Sequence, residues 1–200
     1  MSDHINTRRT RNSVLRPTRP LIFTVALAIV ALAASTAWAG DRTKHDLFKR
    51  IQEQVLRYAL FTVFDNVDVA IGEDGFVTLS GRVTGGHKQR ALEQRVAAID
   101  GVTAVANEIT VLPASRFDDQ LRYRVARAIY GNSTFWHYAA RAHPSIHIVI
   151  ERGHVTLTGV VDSETDRHLA FVLARQFDAF SVTNELKLPA EVTADRERIG

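Results

Sequence analysis

The sequence has 200 residues, no cysteine and a formal net charge of +3 at neutral pH. This length fits one or two small domains, and the lack of cysteine excludes both disulfide bonds and a lipid-modified cysteine. Five of the 25 basic residues and one of the 22 acidic residues lie within positions 1–39, so the remainder carries 20 basic and 21 acidic residues. Nucleic-acid binding is therefore disfavoured, because the excess positive charge belongs to the leader.

Residues 1–39 have the layout of a secretory signal peptide. An arginine-rich start is followed by an apolar stretch from Leu21 to Ala34, and Ala37-Trp38-Ala39 places small residues just before a cleavage site. The alternative is an uncleaved membrane anchor, since the segment from Leu21 to Ala39 contains few polar residues. We predict cleavage before Gly40 and a periplasmic mature protein that is not a lipoprotein.

The first module, residues 44–113, shows the pattern helix, strand, strand, helix, strand. Apolar residues recur on one face of each helical stretch, and apolar and polar side chains alternate in the strands. Gly75 lies where a tight turn between the first two strands favours a positive φ. In chain order we predict a helix from Asp46 to about residue 60, strands over 67–71 and 76–83, a helix over 87–99 and a strand over 105–112.

The second module, residues 117–189, repeats that order after a linker of a few residues. Asp118 and Asp119 are predicted to cap its first helix, because acidic side chains favour a helix amino terminus. The stretch from Gly131 to Pro144 is predicted to be a loop, longer than its counterpart. The remaining elements are strands over 146–150 and 155–161, a helix from the capping box at Ser163 to about residue 177, and a strand over 182–188. We expect residues 190–200 to form a flexible tail.

Two pairs of matching segments indicate that one module occurs twice. Asp74–Val83 matches Arg152–Val161, and Val105–Pro113 matches Val182–Pro189 in the same order. Gly81 and Gly159 interrupt the matching strands at the same position, which predicts either a bulge or the close approach of another backbone. The predicted fold is α+β, with two small modules that each cover a three-stranded sheet with two helices.

The combined pattern resembles the BON domain, a small exported bacterial module named after osmotically inducible periplasmic and nodulation-associated proteins. The resemblance covers most of residues 45–189. It is carried by two sets of segments, Val77–Val83 with Gly101-Val102 and Val105–Ile109, and Val155–Val161 with Val182–Leu186. One departure lies at Asp178-Ala179-Phe180, where family members usually have Gly-Val, so we expect module two to build this helix-to-strand turn differently.

The resemblance implies a function in binding rather than catalysis. The family pattern marks structural residues, namely Gly81, Gly159, Asn107 and Asn184, and carries no catalytic set. We expect the two asparagines to hydrogen-bond to local backbone. Similarity to envelope modules, some of them linked to osmotic stress, implies a non-catalytic binding protein of the bacterial cell envelope that contacts a phospholipid surface, without cofactor or small-molecule substrate. The alternative is a periplasmic chaperone or adaptor that binds envelope proteins.

Side chains that could carry chemistry lack the necessary arrangement. His137, His143 and His147 span a loop and the start of a strand, without cysteine or a zinc-binding helix motif. Hydrogen-bonded histidines are therefore favoured over a metal site. Ser80 and Thr158 lack a matching histidine and acid, and we interpret them as outward strand residues rather than nucleophiles.

The first helix of module two carries the predicted binding surface. Its outward face holds Tyr123, Arg127 and Tyr130, and the adjacent loop adds Phe135 and Trp136. Aromatic and arginine side chains suit a membrane–water interface, and the equivalent face of module one is less aromatic. The alternative is that this face packs against module one and buries the tyrosine rings.

Overall fold

The computed structural model describes residues 43–72 and 74–199, so the predicted signal peptide lies outside the described residues. The order helix, strand, strand, helix, strand occurs twice, and a final helix follows. The elements are α1 (43–56), β1 (Asn66–Ile71), β2 (Phe76–Val83), α2 (Gly86–Ala97), β3 (Ala104–Val111), α3 (Arg116–Tyr130), a 3₁₀ turn (Ser133–Phe135), α4 (Trp136–Ala139), β4 (Ile146–Glu151), β5 (His154–Val160), α5 (Glu164–Ala174), β6 (Ser181–Lys187) and α6 (Pro189–Ile199). Within this described part, no helix combines the length and the apolar character needed to cross a membrane.

Each module contains one three-stranded sheet whose central strand has one antiparallel and one parallel neighbour. β2 pairs antiparallel with β1 and parallel with β3, and β5 pairs in the same way with β4 and β6. A short turn joins each antiparallel pair, whereas the parallel connection runs through α2 or α5. This arrangement confirms the predicted α+β fold with two modules.

The repeated glycines mark a close approach between neighbouring backbones. Gly81 has a φ of 117° and Gly159 has a φ of 110°, a region that residues with a Cβ rarely enter. A Cβ at Gly81 would lie 2.2 Å from the carbonyl oxygen of Asn66, and one at Gly159 would lie 1.9 Å from that of Ser145. Both strands keep a one-to-one register here, so the close-approach alternative is correct and no residue bulges out.

Each module buries its own apolar core between the sheet and its helices. In module one, the apolar faces of α1 and α2 pack on inward residues of β2 and β3. Module two has the larger core, because Phe135 and Tyr138 add two fully buried aromatic side chains. The predicted loop from Gly131 to Pro144 is therefore partly structured, since its 3₁₀ turn and α4 direct these two rings inward.

Two predicted helix starts are wrong. α1 is already helical at residue 43, upstream of the expected cap at Asp46. α3 is capped by Ser115, whose hydroxyl accepts from the backbone N–H of Asp118. Asp118 is fully buried, and its carboxylate accepts from the N–H groups of Arg152 and Gly153 at 2.9 and 2.8 Å. Asp118 thus ties the start of α3 to the turn between β4 and β5.

The turn from α5 to β6 differs from its counterpart, as the sequence departure predicts. Module one uses Gly101 with a φ of 96°, whereas the corresponding segment of module two contains no residue with a positive φ. Both turns still make the same backbone hydrogen bond to the hairpin. Thr103 donates to the carbonyl of Gly75 at 3.0 Å in module one, and Phe180 donates to that of Gly153 at 2.9 Å in module two.

The carboxyl-terminal segment is helical where the sequence predicts a flexible tail. α6 begins at Pro189 and continues to Ile199. Glu191 stabilises its first turn, because its carboxylate accepts from the backbone N–H of Leu188 at 2.7 Å and from the guanidinium of Arg167 at 3.0 Å. Since Arg167 belongs to α5, these bonds connect α6 to the body of module two.

The segment between α1 and β1, residues 61–66, lies against the sheet of module two and is hereafter named the docking turn. The N–H of Ile148 in β4 donates to the carbonyl oxygen of Val63 at 2.7 Å, so module one occupies part of the outer edge of β4. The hydroxyl of Thr158 donates to the side-chain oxygen of Asn66 at 3.1 Å. Thr158 is therefore buried against module one, and the prediction that it points outward is wrong.

Candidate functional site

Part of the predicted binding surface is exposed on α3 and α4. Tyr123 is 68% exposed and Trp136 is 69% exposed. Arg127 is also exposed and lies one helical turn after Tyr123, so both side chains project from the same face of α3. These three residues combine aromatic area with a positive charge at the protein surface.

Two other residues of the predicted surface serve the packing of module two instead. Phe135 is fully buried, because the 3₁₀ turn after α3 directs its ring into the core. Tyr130 is half-buried, and its hydroxyl donates a short hydrogen bond to the carbonyl oxygen of Ile146 in β4. Burial raises the pKa of Tyr130 well above its ordinary value of 10, so the hydroxyl keeps its proton. The expectation that both side chains are available to a partner is thus corrected.

Tyr123 also contacts module one. Its ring meets the ring of Phe64 in the docking turn edge-on, with centroids 5.5 Å apart and planes at 80°. Because Tyr123 nevertheless remains mostly exposed, the contact covers only one edge of the ring. The packing alternative therefore applies to that edge, whereas Arg127 and Trp136 stay open to solvent.

The signature asparagines lock a helix to the last strand of each module. Asn107 donates to the carbonyl oxygen of Gln89 in α2 at 3.1 Å, and Asn184 donates to that of Arg167 in α5 at 2.9 Å. In both modules the asparagine oxygen also accepts from the backbone N–H two residues later. The expected backbone hydrogen bonds are present, and they engage the amide groups of both side chains.

A buried ion pair shapes the docking turn from within module one. Asp65 is fully buried, and its carboxylate accepts from Nζ of Lys88 at 2.7 Å. It also accepts from the N–H and hydroxyl groups of Thr62 and Thr84. Burial alone would raise the pKa of Asp65, but the Lys88 ammonium and these donors outweigh it and hold the pKa below 3.8. Asp65 is therefore charged at neutral pH.

His147 faces this network from β4. Its ring centroid lies 5.7 Å from that of Phe61, and its Nδ1 is buried without a hydrogen-bond partner among the described residues. Burial lowers the pKa of His147 below 6.5, although nearby Asp65 and Asp68 oppose the shift. The imidazole at the contact between the modules is therefore neutral at neutral pH.

The three histidines considered for a metal site have separate surroundings. His147 lies at the contact between the modules, and His143 is exposed. Nε2 of His137 lies 3.3 Å from the carboxylate of Asp162. No group of three or more potential metal ligands comes together in the part of the chain that the structure describes.

A cluster that the sequence analysis does not predict lies beside the turn between β4 and β5. Its rings belong to Phe117, His154 and Phe180, hereafter the aromatic tip. The rings of Phe117 and Phe180 stack with centroids 6.4 Å apart, and the ring of His154 meets Phe180 edge-on at 5.8 Å. Phe180 is 75% exposed and Phe117 is 46% exposed. The only sequence signal is the departure at Phe180, because the three residues come from separate segments.

One family model matches the chain twice. The model of the BON domain matches residues 46–113 and 118–190, which together span both modules. The chain belongs to the BON domain family. No curated protein matches this BON protein.

Among solved structures, the BON protein is similar to CdsD, a structural protein of the type III secretion system of Chlamydia trachomatis. A structure of the CdsD carboxyl-terminal domain shares 17% identity over 76% of this chain and 69% of that chain, with a TM-score of 0.30. A second CdsD structure shares 14% identity over 76% of this chain and 97% of that chain, with a TM-score of 0.28. At these scores the likeness carries no argument, and the assignment rests on the family model.

Family membership defines the class of function. BON domains are known as non-catalytic binding modules associated with the periplasm and the cell envelope. The signature asparagines of this BON protein make structural hydrogen bonds. The exposed aromatic side chains of module two are therefore the leading candidates for contact with a partner.

Proposed function

We propose that this BON protein is exported to the cell envelope and contacts an anionic phospholipid surface through module two. The supporting observation is the exposure of Tyr123 and Trp136 close to Arg127 in the chain, at the end of α3 and the start of α4. Tyrosine and tryptophan rings favour the membrane–water interface, because one part of each ring is apolar and another part is polar. An arginine beside them can donate hydrogen bonds to a lipid phosphate.

The charge of the chain supports a leading role for the aromatic rings. Beyond residue 39 the sequence carries 20 basic and 21 acidic residues out of totals of 25 and 22, so long-range attraction to an anionic surface is weak. Apolar contact must then supply much of the affinity, while Arg127 favours anionic headgroups. We expect binding that salt weakens but does not abolish.

A chaperone or adaptor that binds envelope proteins is the second candidate function. β3 is an outer strand of its sheet, and no described strand pairs with its second edge. An extended segment of another protein could add to this edge through main-chain hydrogen bonds. Such binding would depend little on salt, because backbone groups rather than charges would carry it.

Vesicle co-sedimentation of the mature chain, from Gly40 onward, tests the lipid proposal. We expect the chain to pellet with vesicles of phosphatidylethanolamine and phosphatidylglycerol, and less with phosphatidylcholine alone. The double variant Tyr123→Ser, Trp136→Ser should pellet less while its melting temperature changes little, because both side chains are exposed. Leu60→Ser is the matched control, since it alters an exposed apolar residue of module one. A wild-type chain that stays in the supernatant with every vesicle would exclude the lipid proposal.

A further inference from the structure

The aromatic tip is an exposed apolar surface that the α3–α4 surface does not include. It lies at the amino-terminal end of α3, whereas Trp136 follows the carboxyl-terminal end of this helix of 15 residues. The two ends are about 20 Å apart at the rise of an α-helix. Single exposed apolar side chains are common on soluble proteins, but a stacked aromatic pair forms a contiguous patch that indicates a contact.

The buried carboxylate of Asp118 holds the aromatic tip in place. By accepting from two backbone N–H groups it stabilises a left-handed turn in which Arg152 has a φ of 52° and Gly153 a φ of 80°. A Cβ at Gly153 would lie 2.8 Å from the ring of Phe180 and 3.3 Å from that of Phe117, so glycine allows both rings to rest on the turn. The pair is pre-organised and loses little conformational entropy when it docks.

Positive charge lies beside the aromatic pair. Arg116 precedes Phe117 in the chain, Arg152 belongs to the turn that carries the rings, and both side chains are exposed. Asp178 is an exposed acid in the turn before β6 and offsets one of these charges. An apolar pair with a basic rim matches the interface of a bilayer with anionic headgroups, where rings lie below the phosphates and guanidinium groups bind them.

Module one lacks such a pair at the equivalent positions. Phe76 begins β2 as His154 begins β5, so one exposed ring is present there. Thr103 stands where module two has Phe180, because both donate the same backbone hydrogen bond to the hairpin glycine. The stacked pair is thus a feature of the module that also exposes Tyr123 and Trp136.

We propose that the aromatic tip inserts into the interfacial region of an anionic phospholipid bilayer and forms a second membrane contact of module two. This inference rests on the proposed function, since it requires the protein to meet a lipid surface. Phe117 and Phe180 supply the apolar contact, and Arg116 and Arg152 remain at the level of the headgroups. The turn held by Asp118 keeps the rings in position.

The double variant Phe117→Ser, Phe180→Ser tests the inference in the mature chain. Its affinity for vesicles of phosphatidylethanolamine and phosphatidylglycerol should fall about tenfold to a hundredfold, because two aromatic side chains no longer leave water. Its melting temperature should stay close to that of the wild type, because both side chains are largely exposed. The matched control Leu60→Ser, Phe76→Ser removes two exposed apolar side chains from module one and should keep wild-type affinity.

Tryptophan fluorescence reports insertion directly. The sequence has two tryptophans, Trp38 in the predicted signal peptide and Trp136, so Phe180→Trp with Trp136→Phe leaves a single tryptophan in the mature chain. Its emission should shift to shorter wavelength with the same vesicles, and brominated lipids should quench it. An unchanged, unquenched spectrum on vesicles that the chain still binds would overturn the inference.

The possible outcomes separate this inference from the proposed function. If the wild type binds vesicles and the Phe117→Ser, Phe180→Ser variant binds them equally well, the inference fails while the proposed function stands. If the wild type binds no vesicle, both fail. If the double variant only converts a wild-type dimer to a monomer in analytical ultracentrifugation, the aromatic tip joins two copies of the chain and the inference is wrong.

Discussion

The two modules share a backbone but place aromatic side chains differently. Where the last strand begins, module one has Thr103 and module two has Phe180, although both donate the same hydrogen bond to the hairpin. After the first helix, module one continues into the docking turn, whereas module two adds a segment with buried Phe135 and exposed Trp136. The shared hydrogen bonds constrain strands and helices, so the modules diverge where side chains leave the sheet ends and loops.

This divergence distinguishes supporting contacts from exposed ones. Module one directs Val63 and Asn66 toward the sheet of module two, where both accept hydrogen bonds. In module two, the segment after the first helix exposes Trp136 instead. On the proposed function, module one positions module two, and module two meets the lipid.

The largest expected effect concerns a feature that both modules share. Gly81→Val and Gly159→Val each place a Cβ against a carbonyl oxygen of the neighbouring strand, at a φ that valine rarely adopts. We expect each variant to lose about 4 kcal/mol or more of unfolding free energy, measured by urea denaturation. Gly86→Ala is the control, because a Cβ there meets no atom closer than 3.9 Å. Curves for the valine variants that overlay the control would contradict the close-approach interpretation.

The next effect should be confined to module one. Lys88→Met leaves the buried carboxylate of Asp65 without its cation, which should cost about 3 kcal/mol of unfolding free energy. The loss should not be larger, because Thr62 and Thr84 still donate to Asp65. Lys49→Met removes an exposed lysine of α1 and serves as the control. Equal urea midpoints for the two variants would show that Asp65 does not need Lys88.

Acidification tests the contact between the modules. Because burial lowers the pKa of folded His147 below 6.5, the unfolded chain binds this proton more tightly. This contribution to stability is complete at a pH above 6.5, decreases as the pH falls below that value, and stops decreasing below the folded pKa. Since a single group is responsible, the change should be smaller than that at Lys88. His147→Phe should flatten the profile of unfolding free energy between about pH 5 and 7; coinciding profiles would refute the role of His147.

The smallest effect compares two tyrosines on α3. Tyr130→Phe removes the hydroxyl that donates to the carbonyl of Ile146, which should cost about 1 kcal/mol and lower the melting temperature by roughly 2–4 °C. Tyr123→Phe alters an exposed side chain and should change the melting temperature by less than that. Equal shifts for both variants would mean that the hydroxyl of Tyr130 is not a structural group.

Most of the fold was predictable because it depends on neighbours in the chain. Alternation of apolar residues indicates the strands, and glycines such as Gly75 and Gly153 indicate the turns between them. The segment that contains Phe135 and Tyr138 has no such period, so α4 and the burial of both rings were missed. The helix α6 was missed because Glu191 anchors it through α5, which lies far away in sequence.

The candidate site was predictable only where one helix determines the direction of a side chain. Helical periodicity correctly places Tyr123 on the surface. It fails for Tyr130, whose position depends on a carbonyl group of β4. Periodicity also gives no indication of the aromatic tip, because Phe117 and Phe180 meet only through the packing of α3 beside the sheet end. Clusters assembled from distant segments require the tertiary structure.

The hydrogen bond from Ile148 to Val63 protects an adhesive edge. β4 reads Ile-His-Ile-Val-Ile-Glu, a segment rich in β-branched residues with little charge, which favours pairing with strands of other chains. In the intact protein the docking turn occupies part of that edge. A fragment that begins after module one would leave the edge uncovered, so module two produced alone should aggregate even though its core is complete. The first BON module thus acts as a built-in shield against misassembly of the second.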